Sequence, residues 1–230
     1  MALRSSGIPG LDKLLGGGFP KNGCILLHGP AGSGKTIFGL QFLLEGLKKG
    51  EKTLYITLDH QPKRFIEQAK SFKWDLEAYM NCGLFSFLDA TQENIFQSPE
   101  EFKRIWTRFF KYIEQEKINR VVIDPFRFLE TEQAFIYSYR ETLLALDSID
   151  TCNSLVIIPS SHLEIPVEAT WCSASIALKT SEDDIGISRK LSIQKCVNLA
   201  FELDHKRYYI DTNQGLYMPT QSKVSAWPIS

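Results

Sequence analysis

Cys24-Ile25-Leu26-Leu27-His28-Gly29-Pro30-Ala31-Gly32-Ser33-Gly34-Lys35-Thr36 is the stretch that decides how this chain folds. Its first five residues form an apolar run of the length of a buried strand. From Thr36 to Lys49 apolar side chains recur at Ile37, Leu40, Phe42, Leu43 and Leu47, the spacing of a helix that Gly50 then stops. Between strand and helix, Gly29 to Thr36 meets the pattern G-x-x-x-x-G-K-[ST] at every fixed position. The backbone amides of Gly32, Ser33 and Gly34 are expected to wrap a β-phosphate, helped by the helix dipole beginning at Lys35. Glycines are needed because a Cβ would obstruct the close approach of the backbone. Lys35 is read as a point charge for the β- and γ-phosphates, and Thr36 as a Mg²⁺ ligand through its hydroxyl. The candidate nucleotide-contacting set is Gly29, Pro30, Ala31, Gly32, Ser33, Gly34, Lys35 and Thr36, and the expected ligands are a nucleoside triphosphate and Mg²⁺.

Outward from the loop, further apolar runs alternate with helical patterns. Thr53–Leu58, Leu84–Leu88, Val121–Asp124 and Leu155–Pro159 read as strands; Pro62–Phe72, Pro99–Lys117 and Glu132–Ile149 read as helices. Pro99, Glu100 and Glu101 suit the first turn of the longest helix. Strands that are apolar without interruption, alternating with helices, predict an α/β fold with a mostly parallel sheet covered on both faces. In the last third, Ser175–Thr180, Lys190–Lys195 and Arg207–Asp211 alternate more and are separated by turn residues, predicting antiparallel strands that extend one sheet edge. No repeat or linker breaks the 230 residues, so residues 1–230 are expected to form a single domain.

A phosphate loop needs a second acid on the Mg²⁺ side, at the end of a neighbouring apolar strand. Asp124, after Val121-Val122-Ile123, is that candidate, with a turn-capping role before Pro125 as the bland alternative. Hydrolysis also needs a group that orients or deprotonates water. Asp59, after the second strand, is assigned as the catalytic base beside Lys35, against the alternative that it caps the next helix. Ser160, Ser161 and His162 follow the fifth strand and are weaker candidates for sensing the γ-phosphate.

Composition narrows the field. A net charge of −1 gives no reason to expect broad nucleic-acid or membrane-surface binding. Between Ser160 and Asp184, Glu164, Glu168, Glu182, Asp183 and Asp184 face only Lys179, an acidic balance that repels phosphate backbones. The five cysteines, Cys24, Cys82, Cys152, Cys172 and Cys196, show no C-x-x-C spacing and read as buried free thiols. Without an N-terminal apolar core or a run of 18 apolar residues, a soluble cytoplasmic protein with no membrane span is expected. Trp106, Phe109, Phe110 and Tyr112 lie on one predicted helix and read as packing or subunit contacts rather than base-stacking groups.

The lead-in Gly7-Ile8-Pro9-Gly10-Leu11-Asp12-Lys13-Leu14-Leu15-Gly16-Gly17-Gly18-Phe19-Pro20, followed by the loop, closely resembles the opening of KaiC-like ATPases, of the RecA-type recombinase superfamily. The resemblance is strong over about the first 60 residues, looser through Asp124 and the Leu155 strand, and thin after residue 180. It implies a RecA-like P-loop core, ATP as the nucleotide, and homo-oligomers, hexameric rings with ATP between neighbours; the first functional expectation is an ATPase whose cycle changes the shape of such a ring or its contacts with an unidentified partner protein. Two departures bear on catalysis. KaiC-like proteins usually end the second strand with two glutamates, where this chain has Asp59-His60; an acid followed by histidine is similar to RecA itself. Aspartate is shorter by one C–C bond, about 1.5 Å, and a misplacement on that scale costs about 10²-fold in rate. The family also carries a K-x-R pair on a late strand that reaches a neighbour's γ-phosphate. Lys195-Cys196-Val197 keeps the lysine, a solvated edge lysine being the alternative, and lacks the arginine; Arg189 or Arg207 are substitutes. Slow hydrolysis follows. Clock members of the family carry a phosphorylated serine–threonine pair where Ala169-Thr170 aligns loosely, so autophosphorylation at Thr170 is not expected. The competing functions are a RecA-type DNA-binding accessory and a scaffold that holds ATP without hydrolysing it.

Overall fold

The computed structural model describes residues 2–59, 61–91, 93, 98–126, 133–160, 165–183, 186–201 and 204–219. The strands are β1 (Leu3–Arg4), β2 (Phe19–Pro20), β3 (Gly23–Gly29), β4 (Thr53–Thr57), β5 (Phe85–Asp89) and β6 (Arg120–Asp124). They continue as β7 (Asn153–Pro159), β8 (Ala174–Asp183), β9 (Gly186–Cys196), β10 (Lys206–Arg207), β11 (Tyr209–Asp211) and β12 (Gly215–Tyr217). The helices are α1 (Leu11–Leu14), α2 (Lys35–Lys48), α3 (Pro62–Ser71), α4 (Leu76–Asn81), α5 (Pro99–Gln115) and α6 (Gln133–Asp147).

The main sheet has eight strands in the order β10-β9-β8-β3-β7-β6-β4-β5. From β8 through β5 every neighbouring pair is parallel, and β9 and β10 are antiparallel additions at one edge. Every residue of β3, β4 and β6 is buried, as a sheet covered on both faces requires. Side chains alternate between two cores. Ile25, Leu27, Tyr55, Val122, Leu155 and Ile157 pack with α1 to α4, including Phe38, Phe42 and Phe65. Leu26, Leu54, Ile56, Val121, Ile123 and Val156 pack instead with Phe102, Ile105 and Trp106 of α5 and Leu143 of α6. β3 therefore runs through the middle of the molecule. Its carboxyl end opens where the chain leaves for β4 on one side and returns at β8 on the other, the position at which open α/β sheets bind ligands.

The last third carries the expected antiparallel strands at one sheet edge, β8 with β9 and β9 with β10, and differs from the expectation in two details. The Ser175–Thr180 run, expected to be antiparallel, lies in β8, which pairs parallel with β3 (Ile25 with Ala174, His28 with Ala177) and antiparallel only with β9. Alternation of polar and apolar residues reports a strand but not its direction. Here a 3₁₀ turn at Val167–Trp171 returns the chain to the start of β3 before β8 begins. The Arg207–Asp211 strand is split: Lys206–Arg207 pairs with β9, while Tyr209–Asp211 forms a separate hairpin with β12 around Asn213-Gln214. α4 was not legible; it spans six residues and is capped by Asp75, whose Oδ1 accepts from the Ala78 amide at 3.0 Å. Cys24, Cys152, Cys172 and Cys196 are buried free thiols, but Cys82 is exposed, because it sits at the surface end of α4. Among the described residues no helix is long and apolar enough to cross a membrane.

One polar side chain ties distant segments together. Gln41, buried in α2, donates from Nε2 to the carbonyls of Gly7 (2.9 Å), Gln214 (3.2 Å) and Leu216 (3.0 Å), and its Oε1 accepts from the Leu216 amide at 2.9 Å. The lead-in and the β11–β12 hairpin are thereby fastened to the helix that follows the loop.

Candidate functional site

The loop between β3 and α2 adopts the conformation its glycines permit. Gly32 and Gly34 have φ of 75° and 91°, the left-handed region that L side chains avoid, and Gly34 caps α2. At Gly34 the space is closed as well: a Cβ would lie 2.6 Å from Ile210 Cδ1. At Gly32 it would meet nothing within 4 Å, so there the backbone angle alone calls for glycine. Lys35 folds back over the loop, its Nζ donating to the carbonyls of Gly29 (2.8 Å) and Pro30 (2.7 Å). Burial holds its ammonium below the ordinary lysine value, and the charge of Asp124 opposes that. Ser33 is turned inward, with Oγ donating to the Pro30 carbonyl at 2.8 Å.

Thr36 and Asp124, 88 residues apart in sequence, meet at this end of the sheet: the Thr36 hydroxyl donates to Asp124 Oδ2 at 2.8 Å. The same oxygen accepts from the Tyr55 hydroxyl at 2.7 Å. Burial, then the adjacent carboxylate, pushes the Tyr55 phenol well above its ordinary range, so it stays protonated and donates. A hydroxyl and a carboxylate converging beside a phosphate loop suit Mg²⁺, which takes one or two protein carboxylates together with phosphate oxygens and water. The donor set fits the ion.

A cleft of about 420 Å³ opens over the loop. Gly32, Gly34, Lys35 and Thr36 form its floor; Arg64, Phe65 and Gln68 of α3, Arg189 of β9 and Ile210 of β11 form its walls. Three cationic side chains around one apolar-edged cleft suit a polyanion with a flat hydrophobic part. Arg189, considered from the sequence as a group reaching a neighbour, lines the cleft of its own chain, and its Nε is buried with no hydrogen-bond partner among the described residues. Arg207 lies instead in an adjoining hollow of about 260 Å³. Tyr208, between β10 and β11, braces the loop from below, its hydroxyl donating to the Ser33 carbonyl at 2.5 Å.

Asp59 is exposed, two residues past the end of β4; His60, Ser161, His162, Glu164 and Asp184 lie outside the described residues. The Ser160 amide donates to the Gly29 carbonyl at 3.0 Å, which puts it beside the loop. Lys195 is not at its own chain's loop: its Nζ donates to the carbonyls of Ala169 (3.0 Å) and Thr170 (3.1 Å). Thr170 is exposed, with Oγ1 donating to the Val167 carbonyl at 2.6 Å. Trp106 is buried against Phe102 and Phe126 and takes part in core packing.

Sequence reasoning did not reach Tyr55, Tyr208, Arg64, Gln68 or Ile210. A tyrosine in the middle of an otherwise apolar strand signals a buried hydroxyl needing a partner, which could have singled out Tyr55. The other four are brought to the loop by tertiary packing alone.

The central β3, the loop at its carboxyl end and the parallel strands on either side define a RecA-type phosphate-loop fold. Within that class the chain belongs to the KaiC ATPase family, whose family model matches residues 4–222. A UPF0273 protein of Thermotoga maritima is 35% identical over 226 residues, covering 92% of this chain and 93% of that protein. UPF0273 protein PH0284 of Pyrococcus horikoshii is 34% identical over 146 residues, 64% of this chain and 54% of its own length, so the match spans about half of that relative. The crystal structure of the KaiC-like protein PH0186 from Pyrococcus horikoshii superposes with a TM-score of 0.79, covering 95% of this chain and 99% of the other. At 24% identity that likeness concerns the fold. Family membership implies nucleotide binding of the ATPase kind.

Proposed function

We propose that the chain binds Mg-ATP in the cleft over Gly29–Thr36 and hydrolyses it slowly, as part of a homo-oligomer whose ATP cycle alters contacts with a partner protein in the cytoplasm. The observation that carries this reading is the Thr36–Asp124 contact beside Lys35. On binding, Lys35 exchanges the Gly29 and Pro30 carbonyls for the β- and γ-phosphates, while the amides of Gly32, Ser33 and Gly34 hold the β-phosphate. Thr36 and Asp124 would hold Mg²⁺, which would supply positive charge to offset the charge developing on the phosphates. Arg64 and Arg189 add positive charge at the cleft wall, and Phe65 and Ile210 offer an apolar surface to the base. A neighbouring chain's Lys195 would complete the γ-phosphate site in a hexameric ring; nucleic acid is not the expected partner.

Asp59 is the proposed base for the attacking water. It is exposed, two residues past β4 at the end of the sheet where Thr57 pairs with Asp124, and the short reach of an aspartate is in keeping with weak turnover. That same observation favours a second reading, a scaffold that retains ATP unhydrolysed. Phosphate release and the identity of the retained nucleotide, measured with ATP and Mg²⁺, separate the two. ADP retained by wild type, with release reduced in Asp59→Ala, supports the enzyme. Equal rates in both proteins remove Asp59 from the mechanism, and intact ATP after hours leaves the scaffold.

A further inference from the structure

We infer that Tyr55 is a positioning residue for Asp124, holding the metal-side carboxylate in place whether or not the loop is engaged; this rests on the Mg-ATP site proposed above. Tyr55 occupies the centre of β4, and its partner across the strands is Val122, two residues before Asp124 on β6. Residues two apart share a face of the sheet, and an aromatic side chain spans the diagonal to such a neighbour. The Tyr55 hydroxyl makes that reach, at 2.7 Å from Asp124 Oδ2.

The ring has little freedom to go elsewhere. It stacks on Phe87 with centroids 5.2 Å apart and planes 10° from parallel, and Phe65 closes on it at 4.7 Å. Tyr55 is fully buried, so water does not compete for its hydroxyl. A hydroxyl donating to a carboxylate in such surroundings makes a stronger bond than one between neutral groups.

Among the described residues, the Thr36 and Tyr55 hydroxyls both donate to Asp124 Oδ2, from different settings. Thr36 belongs to the first turn of α2, directly after the phosphate loop, whereas Tyr55 belongs to a strand buried at every position. When a metal and a triphosphate draw on Thr36, the bond from Tyr55 still fixes the rotamer of the carboxylate. Phenylalanine would fill the same space and keep both ring contacts, so the hydroxyl is the part of this side chain that serves Asp124. Phe65 also lines the cleft, so its ring both confines Tyr55 and forms part of the wall around the ligand.

The test compares wild type, Tyr55→Phe and Phe87→Leu as full chains. Binding of a fluorescent ATP analogue is titrated in EDTA and against Mg²⁺, and the melting temperature is recorded. Expected for Tyr55→Phe is an affinity in EDTA equal to wild type, with the Mg²⁺ concentration at half-effect raised about tenfold or more, the usual scale when a partner of a metal-holding carboxylate is lost. Phe87→Leu, which removes one ring contact but spares the hydroxyl and leaves Phe65 on the ring, is expected to lower the melting temperature and to raise the Mg²⁺ midpoint less than Tyr55→Phe does. An unchanged midpoint in Tyr55→Phe, an equal loss in EDTA, or the same shift in Phe87→Leu overturns the inference while the Mg-ATP site stands. A wild type that binds no analogue, or binds it without regard to Mg²⁺, overturns the site and this inference together.

Discussion

Replacing Gln41 by alanine puts the fastening of the C-terminal hairpin to a direct test. The buried amide makes four hydrogen bonds, three as donor and one as acceptor. Truncation leaves the Leu216 amide and the carbonyls of Gly7, Gln214 and Leu216 to find other partners. An orphaned buried group costs about 1–3 kcal/mol. Carbonyls at the edge recover water more readily than a buried N–H, so a total of about 3 kcal/mol is expected. Alanine's better helix propensity returns only a few tenths of a kcal/mol. In a domain of this size each kcal/mol moves the melting temperature by about 2–4 °C, which gives a fall of about 6–12 °C. The loss is also local. Ile210, on the same hairpin, lines the cleft, so nucleotide affinity falls together with hydrogen-exchange protection of the Leu216 amide. Calorimetry and exchange mass spectrometry read the two effects. A melting temperature within a degree or two of wild type, with the Leu216 region still protected, would refute the idea that Gln41 holds the hairpin.

Two further outcomes follow from groups near the loop. Tyr208→Phe removes the hydroxyl that braces the Ser33 carbonyl, and a net bond of about 0.5–1.5 kcal/mol corresponds to an ATP affinity about 2–10-fold weaker, read by nucleotide titration; equal affinities would mean that the loop holds its shape without the brace. His28 gives a pH dependence: burial, its largest influence, lowers its pKa below the ordinary 6.5, against the opposing Gln194 bond. The unfolded chain therefore binds a proton first as pH falls through about 6.5, so this residue favours the folded state above that pH and costs stability below it. Melting at pH 7.5 and pH 5.5 should show a smaller loss in His28→Gln than in wild type, and parallel losses would rule His28 out as a source.

The parts of the fold written in local sequence were readable, and those set by long-range packing were not. Cys24–His28, the glycine loop and the period of Ile37, Leu40, Phe42 and Leu43 sit within one continuous stretch, and each signals its own conformation. Asp124 could be placed because an acid after Val121-Val122-Ile123 marks the end of a buried strand; the structure then sets it against Thr36. The direction of β8 was not readable, since polar–apolar alternation looks the same in parallel and antiparallel strands. Tyr55 lay inside an apolar run, whereas the candidates for the site were sought at strand ends. Tyr208 lies between, and Ile210 within the second of, two short strands whose pairing partners, β9 and β12, are in different sheets. Nothing in Arg207-Tyr208-Tyr209-Ile210 announces that break.

The supports of the loop also carry an order of events during synthesis. Ser33 and the Tyr208 hydroxyl that braces it are separated by 175 residues, as are Gln41 and Leu216. A ribosome therefore releases the loop, its strand and α2 long before the residues that brace them exist. At about 5–20 residues per second the interval is on the order of ten to thirty seconds. Until Tyr208 and the hairpin emerge, the nascent chain lacks the bond to the Ser33 carbonyl and the Gln41 fastening. Tyr208 and the hairpin thus come late in the assembly of the loop, and a nascent chain stalled before residue 208 lacks both supports.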